Sequence, residues 1–389
     1  MTGFANLADE LQQIKQQNLY RSRRVVSSPQ GVNIKIEGRQ LINFSSNDYL
    51  GLANHPQLIQ SFKKAADNSG VGSGSAHLIC GHSHSHHALE EELAEFTGRE
   101  RALLFSTGYM ANMGTISALL GRGDQVFQDR LNHASLLDGG LLSGARFKRY
   151  LHNDLSDLSR KLKPIDGRTL IVSDGVFSMD GDLAPLAELS KISAENNAWL
   201  MVDDAHGFGV LGETGAGIVE KHGLSQQQVP VLMGTLGKGF GTFGAFVAGS
   251  DVLIETLIQK ARSYVFTTAM PAAIAEATRA SLKLLIKDRW RRDKLNSLVK
   301  RFRIGADQLG LELMYSDSAI QPLVIGDSKE VMQISENLYQ QGFLVTAIRP
   351  PTVPKGQARL RITFSANHTE QQVDQLLEAL GIAVPNTIT

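Results

Sequence analysis

The chain lacks the features by which secreted, membrane and nucleic-acid-binding proteins are recognised. Its 389 residues include one cysteine, Cys80, which excludes an internal disulfide and favours a reducing compartment. The 39 basic and 39 acidic side chains cancel, so the broad positive charge of a nucleic-acid or anionic-membrane binder is absent. No run reaches the roughly 18 apolar residues of a membrane span, and residues 1–17 do not have a secretion-signal pattern. We therefore expect a cytoplasmic protein with neither a membrane nor a nucleic acid as partner.

Short apolar runs alternate with helical patterns between residues 102 and 249. This alternation is typical of a mostly parallel sheet covered by helices. The candidate strands are residues 102–106, 125–128, 146–151, 170–173, 199–203, 229–233 and 245–248. Helical patterns between them include residues 113–120, 155–162 and 186–196. The sequence predicts a large α/β domain with a mostly parallel, seven-stranded sheet.

The order of elements changes after residue 271. Residues 272–309 contain no proline and form the longest region compatible with a helix, which we expect to bridge two domains. Strand patterns at 320–325, 343–348 and 360–364 then alternate with helical patterns at 331–341 and 371–380, which predicts a small C-terminal α+β domain. We expect the large domain at residues 51–285 and the small one at 286–389, with an N-terminal helix and strand segment at 1–50 associated with the small domain.

A glycine-rich loop containing one lysine, Lys238, follows the predicted strand 229–233. A phosphate-binding P-loop is excluded because Gly239 stands where that motif needs Ser or Thr. Gly239, Gly241 and Gly244 match the G-x-G-x-x-G of dinucleotide-dependent dehydrogenases, but a strand pattern follows them where that motif needs a helix. The remaining interpretations are a lysine held to form a Schiff base, or a flexible turn with a solvated lysine.

Two acids and a histidine come at the end of the predicted strand 199–203. Successive strand residues point to opposite faces, so only one of Asp203 and Asp204 can face a ligand. The carboxyl ends of parallel strands open onto the ligand crevice of α/β proteins. A buried carboxylate there could pair with a protonated ring nitrogen of a cofactor. The alternative is an acidic turn with a structural histidine, His206.

Residues 105–112 place a strand end, a Ser-Thr-Gly turn and a helix start in succession. The free amides of that helix start could bind a phosphate, or Ser106 or Thr107 could be a plain N-cap. Five histidines also lie close together, at positions 77, 82, 84, 86 and 87. Their spacing completes no recognised metal-binding motif, so we predict a surface loop or helix start there and no metal.

Residues 45–51, 174–182, 203–206 and 237–239 together resemble the α-oxoamine synthases, which are pyridoxal-phosphate enzymes of fold type I. The resemblance extends from about residue 43 to residue 368. It implies that Lys238 binds pyridoxal 5'-phosphate covalently and then acts as acid and base at the substrate α-carbon. It also implies that Asp203 pairs with the pyridinium nitrogen, which keeps the ring an electron acceptor.

The resemblance assigns further contacts residue by residue. Those with the cofactor are His133 on the ring face, His206 and Ser178 at the ring hydroxyl, Gly108, Tyr109 and Thr235 at the phosphate, and Thr267 of the partner subunit at the phosphate. Those with substrates are Arg361, assisted by Asn47, at the amino-acid carboxylate, and Arg21 and Thr352 at the acyl substrate. A contribution from the partner subunit implies a homodimer with shared active sites.

Residues 318–323 and 347–354 are most similar to the family member that joins L-alanine to a pimeloyl thioester, carried by acyl carrier protein or coenzyme A, with release of carbon dioxide. We therefore expect this reaction. The alternative within the family is glycine C-acetyltransferase, which would use glycine and acetyl-coenzyme A. Outside it, the alternatives are a dinucleotide-dependent dehydrogenase and a non-catalytic domain that keeps the cofactor fold.

Overall fold

The structure is a computed structural model that describes residues 4, 6–17 and 19–384. Its strands are β1 (Asn33–Ile36), β2 (Arg39–Asn43), β3 (Arg101–Phe105), β4 (Gln125–Asp129), β5 (Arg146–Tyr150), β6 (Thr169–Asp174), β7 (Trp199–Asp203), β8 (Val231–Thr235), β9 (Ala245–Gly249), β10 (Ile320–Gly326), β11 (Phe343–Leu344), β12 (Thr346–Ile348) and β13 (Ala358–Thr363). Its helices are α1 (Leu7–Gln16), α2 (Pro56–Ser69), α3 (His84–Thr97), α4 (Gly108–Leu119), α5 (Ala134–Leu142), α6 (Leu155–Lys161), α7 (Leu186–Glu195), α8 (Ile218–Lys221), α9 (Asp251–Lys260), α10 (Arg262–Val265), α11 (Ala272–Lys287), α12 (Trp290–Gln308), α13 (Ser328–Gln340) and α14 (Glu370–Ala383). A π-helical turn at His77–Gly81 precedes α3. Among the described residues, none of the helices is both long and apolar enough to cross a membrane.

The chain divides into two units. The larger unit comprises Asn47–Ser178 and Asp182–Lys294, and the smaller unit comprises Met1–Ser46, Met179–Gly181 and Leu295–Thr389. The sequence predicts boundaries at residues 50/51 and 285/286, and this division places them at 46/47 and 294/295. Residues 179–181 join the smaller unit because the Gly181 carbonyl accepts a hydrogen bond from Ser316 Oγ at 2.8 Å.

The larger unit contains the predicted seven-stranded sheet, with strand order β3-β9-β8-β7-β6-β4-β5. Strands β4 to β8 are parallel to their neighbours within this group, and β9 is antiparallel to both β3 and β8. The prediction of a mostly parallel α/β sheet is therefore confirmed. The strands β4, β6 and β7 are almost entirely buried, as expected for a sheet with helices on both faces.

Helix α4 packs on this sheet and has almost no polar face. Its buried residues include Ala111, Ile116 and Leu119, together with the polar Asn112. It packs against α5, α9 and α10, and strand residues such as Val172 and Met201 complete the same apolar core. Burial of this core at about 25 cal/mol per Å² holds the N-terminus of α4 in a fixed place beside the sheet.

The smaller unit contains two three-stranded sheets, β1-β2-β11 and β10-β13-β12. The single strand predicted at 343–348 is two strands. Phe343 and Leu344 pair in parallel with β2, whereas residues 346–348 pair antiparallel with β13. The chain changes sheets at Val345, whose buried side chain is only 2% exposed. An apolar run shows that such a segment is buried, but it does not show which strand each half pairs with.

The long helical region predicted at 272–309 is also divided, into α11 and α12. The break is at Asp288, which has φ −93° and ψ 55°. The Asp288 carboxylate accepts a hydrogen bond from Arg291 Nε at 3.2 Å, and Arg291 Nη1 donates to the Leu50 carbonyl at 3.0 Å. These contacts involve a residue far away in the sequence, so helical propensity alone could not predict the break.

Candidate active site

The carboxyl edge of the large sheet brings several polar residues side by side. Four adjacent parallel strands, β8, β7, β6 and β4, end in Thr235, Asp203, Asp174 and Asp129 respectively. Because the carboxyl ends of parallel strands share one edge, these side chains lie in neighbouring positions. The sequence predicted a ligand site at this edge from the end of β7.

The two adjacent acids after β7 have different surroundings. Asp203 is 4% exposed, and its two carboxylate oxygens accept hydrogen bonds from Asn112 Nδ2 at 2.6 Å and from the Ala205 amide at 3.0 Å. Asp204 is fully buried and accepts a hydrogen bond from the Ile218 amide at 2.6 Å. Burial raises the pKa of Asp204 well above its usual range. The alternation expected along a strand thus places only Asp203 next to the other predicted site residues.

A hydrogen-bond network connects Asp203 to His133. Asn112 Nδ2 also donates to Ser135 Oγ at 2.9 Å, and Ser135 Oγ lies 2.7 Å from His133 Nδ1. The Ser135 amide also donates to Nδ1, so this nitrogen is an acceptor and the ring proton is on Nε2. Burial lowers the pKa of His133, although the charge of Asp203 opposes this, so the ring is neutral near pH 7.

Asp174, at the end of β6, holds His133 through the backbone. Its carboxylate accepts a hydrogen bond from the His133 amide at 2.7 Å, at the start of α5. Burial, followed by the charge of Asp203, raises the pKa of Asp174 well above its usual range. The β6 carboxylate therefore positions the ring that the sequence predicts at the cofactor face.

Lys238 lies in a chain of hydrogen bonds within the larger unit. Its Nζ is 2.8 Å from His206 Nε2, and His206 Nδ1 is 2.7 Å from the Tyr49 hydroxyl. The Tyr49 hydroxyl donates to Asn47 Oδ1 at 3.1 Å. Three of these four residues were predicted, and Tyr49 was not, although it lies in one of the segments that carry the family resemblance. Its hydroxyl orients His206, and the ring in turn contacts the lysine amine.

Backbone hydrogen bonds fix the conformation of the loop that carries Lys238, which argues against a flexible turn. Within the loop, the Gly241 amide donates to the Lys238 carbonyl at 2.8 Å, and the Thr242 amide donates to the Leu236 carbonyl at 2.8 Å. Gly241 has φ +67°, and a Cβ there would lie 2.5 Å from the Ala53 amide nitrogen. A side chain would therefore be excluded both by backbone strain and by contact. Strand β9 follows the loop, so the dinucleotide-binding interpretation is wrong.

The N-terminus of α4 offers backbone donors beside this network. Thr107 is the N-cap, and its Oγ1 accepts a hydrogen bond from the Met110 amide at 3.2 Å. Within the described part of the chain, the Gly108 and Tyr109 amides have no hydrogen-bond acceptor. Amides at a helix start carry partial positive charge and bind phosphate well. The N-cap interpretation is confirmed for Thr107. The cap leaves two amides that suit an anion, and phosphate binding there stays a prediction.

For three other predicted cofactor contacts, the structure shows the position in the fold. The Thr235 hydroxyl donates to the Gly244 carbonyl at 3.1 Å. Ser178 lies in a turn after β6, and Thr267 is half-buried after α10. The hydroxyl groups of these three residues stay predicted contacts.

The residues predicted to contact substrates are divided between the units. Asn47 belongs to the larger unit, and Arg21, Thr352 and Arg361 belong to the smaller one. Arg361 is on β13, the central strand of its sheet, and is 7% exposed. Arg359, two residues earlier on the same face of the strand, forms an ion pair with Asp180 at 2.5 Å.

Arg21 and Thr352 are both exposed. Both lie near Arg349, which is also in the smaller unit. The Thr352 amide donates to the Arg349 carbonyl at 3.1 Å. Burial, followed by the positive charge of Arg21, lowers the pKa of Arg349. The surface around these residues is therefore positively charged.

The histidine-rich segment differs in part from its prediction. His84 begins α3, as expected for a helix start, but His77 and His86 are in the interior, at 7% and 0% exposed. Burial lowers the pKa of His77 to about 3 and also lowers the pKa of His82. These rings are therefore neutral near pH 7, and only part of the segment is at the surface.

The residues at the carboxyl edge fit pyridoxal phosphate. Two amides at the N-terminus of α4 suit its phosphate. Asp203, whose hydrogen-bond donors are neutral, can balance a protonated ring nitrogen. The Lys238 amine, held beside His206, suits an aldehyde.

Several known proteins are similar to this chain over most of its length. The family model described as aminotransferase class I and II matches residues 39–380. The 8-amino-7-oxononanoate synthase of Thioalkalivibrio sulfidiphilus is 63% identical over 377 residues, which cover 96% of each chain. The serine palmitoyltransferase of S. paucimobilis with bound PLP-myriocin has a TM-score of 0.92 at 31% identity and covers 98% of this chain and 97% of its own. The 8-amino-7-oxononanoate synthase of Francisella tularensis has a TM-score of 0.79 at 34% identity, covering 88% of this chain and 98% of its own. The chain belongs to the aminotransferase class I and II family and, within it, to the 8-amino-7-oxononanoate synthases.

Proposed function

We propose that this protein condenses L-alanine with a pimeloyl thioester, releases carbon dioxide and forms 8-amino-7-oxononanoate, a step of biotin biosynthesis. The thioester is carried by acyl carrier protein or by coenzyme A. The observation that carries this proposal is the 63% identity to a named 8-amino-7-oxononanoate synthase over 96% of both chains. The arrangement of Lys238, His206 and Asp203 at one sheet edge supports it.

The cofactor of this reaction is pyridoxal 5'-phosphate. When bound, it withdraws electrons from the substrate α-carbon into its ring. The Gly108 and Tyr109 amides would hold its phosphate, and the Thr235 hydroxyl would join them by turning away from the Gly244 carbonyl. Asp203 would hold the proton on the ring nitrogen, His133 would contact the ring, and His206 and Ser178 would bind the ring hydroxyl.

Lys238 acts as the acid and base at the α-carbon. The Lys238 amine would lie close to the α-proton of the bound amino acid, so it could remove this proton and return it later. His206 Nε2 lies 2.8 Å from Nζ and so restrains the position of the amine. Tyr49 keeps His206 in the tautomer with the Nδ1 proton, because the tyrosine hydroxyl gives its own proton to Asn47 Oδ1.

Arg361 binds the carboxylate of L-alanine, assisted by Asn47. A guanidinium group can donate two parallel hydrogen bonds to a carboxylate, which fixes its orientation. Arg359 pairs with Asp180 and is not needed for this role. Glycine-specific members of the family carry threonine in the segment that aligns with residues 75–77, so we attribute the preference for alanine over glycine to Ala76. It precedes the π-helical turn and forms a β-bridge with Thr268, and its small side chain leaves room for a methyl group.

The acyl substrate contacts Arg21 and Thr352. Both residues lie in the smaller unit near Arg349, so they form part of a positively charged surface. A pimeloyl thioester on either carrier contains anionic groups, and such a surface favours its approach.

The protein acts as a homodimer, and Thr267 of the partner subunit contacts the cofactor phosphate. Mixing the inactive Lys238→Ala variant with an inactive Thr267→Val variant tests this assignment. Hybrid dimers would contain one intact site, so activity should return to about a quarter of the wild-type level if subunits exchange randomly. No return of activity, after mass spectrometry has shown that subunits exchange, would contradict the shared site.

Steady-state kinetics with four substrate pairs tests the reaction itself. Alanine or glycine is combined with a pimeloyl or an acetyl thioester, and the products are identified by mass spectrometry. We expect the largest kcat/KM for alanine with the pimeloyl thioester. A larger kcat/KM for glycine with acetyl-coenzyme A would instead identify a glycine C-acetyltransferase. Comparing the two pimeloyl carriers in the same assay determines which carrier is used.

A further inference from the structure

A small cavity lies beside the histidine-rich segment, in the larger unit. Its volume is about 260 Å³, and its lining includes His82, His87, Glu90 and Tyr264. None of these side chains has a part in the proposed reaction. The π-helical turn His77–Gly81 brings His82 back over the first turns of α3, so residues separated in sequence meet here.

Three side chains at this cavity have possible metal-ligand atoms that lie close together. Suitable atoms of His82, His87 and Glu90 all lie within 4.8 Å of one another. His82 Nε2 is 3.8 Å from Glu90 Oε2. His87 and Glu90 are three residues apart on α3 and so share one face of the helix. Tetrahedral Zn²⁺ separates its ligand atoms by about 3.4 Å, so His82 Nε2 and Glu90 Oε2 must approach each other slightly. The exposed His87 side chain, whose Nε2 is 3.4 Å from Glu91 Oε1, must turn toward them.

The remaining polar atoms of His82 and Glu90 already have partners that orient them. His82 Nδ1 is 3.0 Å from His77 Nδ1, and Glu90 Oε1 accepts a hydrogen bond from the Leu104 amide at 2.9 Å. Metal-binding histidines usually donate their other ring N–H to a second group, which fixes the tautomer. When His82 Nδ1 donates to His77, the lone pair of Nε2 is available on the side of Glu90 Oε2.

His86 is also close to His77 and His82 but is not a suitable ligand. Its Nδ1 accepts a hydrogen bond from the Ser83 amide at 3.0 Å, and its Nε2 is 2.6 Å from the Met270 carbonyl. Both ring nitrogens are therefore used, and binding a metal would leave a buried backbone group without its partner. This selects the group formed by His82, His87 and Glu90.

We propose that His82, His87 and Glu90 bind one divalent transition-metal ion of the Zn²⁺ type, with the remaining coordination position open to water. Two imidazoles and one carboxylate are a donor set that Zn²⁺ accepts. The cavity has room for the water ligand. This proposal differs from the prediction of no metal, which depended on sequence spacing: no H-x-x-x-H with a following acid and no Cys pair completed a recognised motif. That spacing does not show that Glu90 and the turn before α3 complete the group.

Zinc binding is measured with the cofactor-loaded full chain, prepared without a histidine tag and treated with a chelator that is then removed. Isothermal titration with ZnCl₂ in a non-coordinating buffer at pH 7.5 should show one site per chain. Metal analysis after gel filtration should give the same stoichiometry. The variants His87→Ala and Glu90→Gln should each weaken binding by about tenfold or more.

His84→Ala is the matched control, because His84 is an exposed histidine of the same segment that is not in the proposed group. It should bind Zn²⁺ as the wild type does. Circular dichroism and the cofactor absorption band show whether Glu90→Gln is folded, and His87→Ala changes an exposed side chain. The proposal is overturned if the wild type binds no Zn²⁺, or if His87→Ala and His84→Ala bind it equally. Because binding is the readout, neither result depends on which substrates the enzyme uses.

Discussion

Two groups of acids at the carboxyl edge of the large sheet balance their charges differently. Among the described residues, the hydrogen-bond donors to Asp203, at the end of β7, are the neutral Asn112 side chain and Ala205 amide. Asp129, at the end of β4, instead faces His152 Nδ1 at 3.1 Å, and His152 Nε2 is 2.8 Å from Asp182. The second group contains its own cation, whereas the first is arranged to receive one.

The pKa of His152 shows how completely the second group is balanced. Burial lowers this pKa, but the hydrogen bonds and charges of Asp129 and Asp182 outweigh burial and raise it to about 10. The imidazolium is therefore charged at neutral pH. Removing the cation from a buried ion pair is destabilising because it leaves an uncompensated charge, whereas a buried carboxylate with neutral donors can hold a cationic ligand. The two groups should accordingly respond to mutation in opposite ways.

Lys238→Ala should have the largest effect on activity. The variant loses the amine that both binds the cofactor and moves the α-proton, so kcat should fall by roughly 10³-fold or more. It should still bind pyridoxal phosphate without a covalent bond, through the α4 amides and Asp203. Borohydride reduction and peptide mapping of the wild type provide the check. A label on a lysine other than Lys238 would overturn the assignment.

Asp203→Asn should abolish most activity while the protein stays folded. The amide keeps the shape of the side chain but removes the charge that balances the ring nitrogen, so kcat should fall by roughly 10²-fold or more. Asp204→Asn is the matched control, because Asp204 is buried against the Ile218 amide and has a raised pKa. Kinetics and thermal unfolding of both variants separate the two roles. Greater loss of activity in Asp204→Asn would contradict the choice of Asp203.

The parts of this site that could be predicted from the sequence are those in which the chemistry is local. Lys238 is in a glycine-rich loop, and Asp203 is at a strand end. Each could therefore be recognised from about ten neighbouring residues in the sequence. Asn112 was missed, although it is one helical turn after Gly108 and therefore on the same face of α4. Tyr49 could not be assigned a role, because its partner His206 is 157 residues away.

The same reason explains the errors in the fold and in the histidine-rich segment. The division of 343–348 into two strands depends on β2 and β13, which are distant in the sequence. The burial of His86 likewise depends on Met270, whose carbonyl is 2.6 Å from His86 Nε2 and which is 184 residues away in the sequence. Local patterns identify elements and catalytic residue types, whereas long-range contacts decide pairing, burial and charge balance.

His152→Gln should change stability more than chemistry. Removing the cation leaves two acids facing each other, which should lower the unfolding free energy by about 3 kcal/mol near pH 6. The folded pKa, about 10, is above the unfolded value of about 6.5, so this contribution is complete below pH 6.5 and is lost as the pH rises through about 10. Urea unfolding of wild type and variant at pH 6 and pH 10 measures the difference. A difference that does not shrink with pH would mean that His152 is uncharged in the folded protein.

Among the four variants discussed, Arg361→Lys should have the smallest effect. It tests whether Arg361 binds the carboxylate of the amino-acid substrate. Lysine keeps the positive charge but cannot form the bidentate pair with the alanine carboxylate, so the KM for alanine should rise by about tenfold while the KM for the thioester changes little. Arg359→Lys is the control, because Arg359 lies on the same strand face but pairs with Asp180. It should alter stability and leave the KM for alanine near the wild-type value. An equal rise in both substrate KM values for Arg361→Lys would show that Arg361 acts on the fold of the smaller unit and does not select the amino acid.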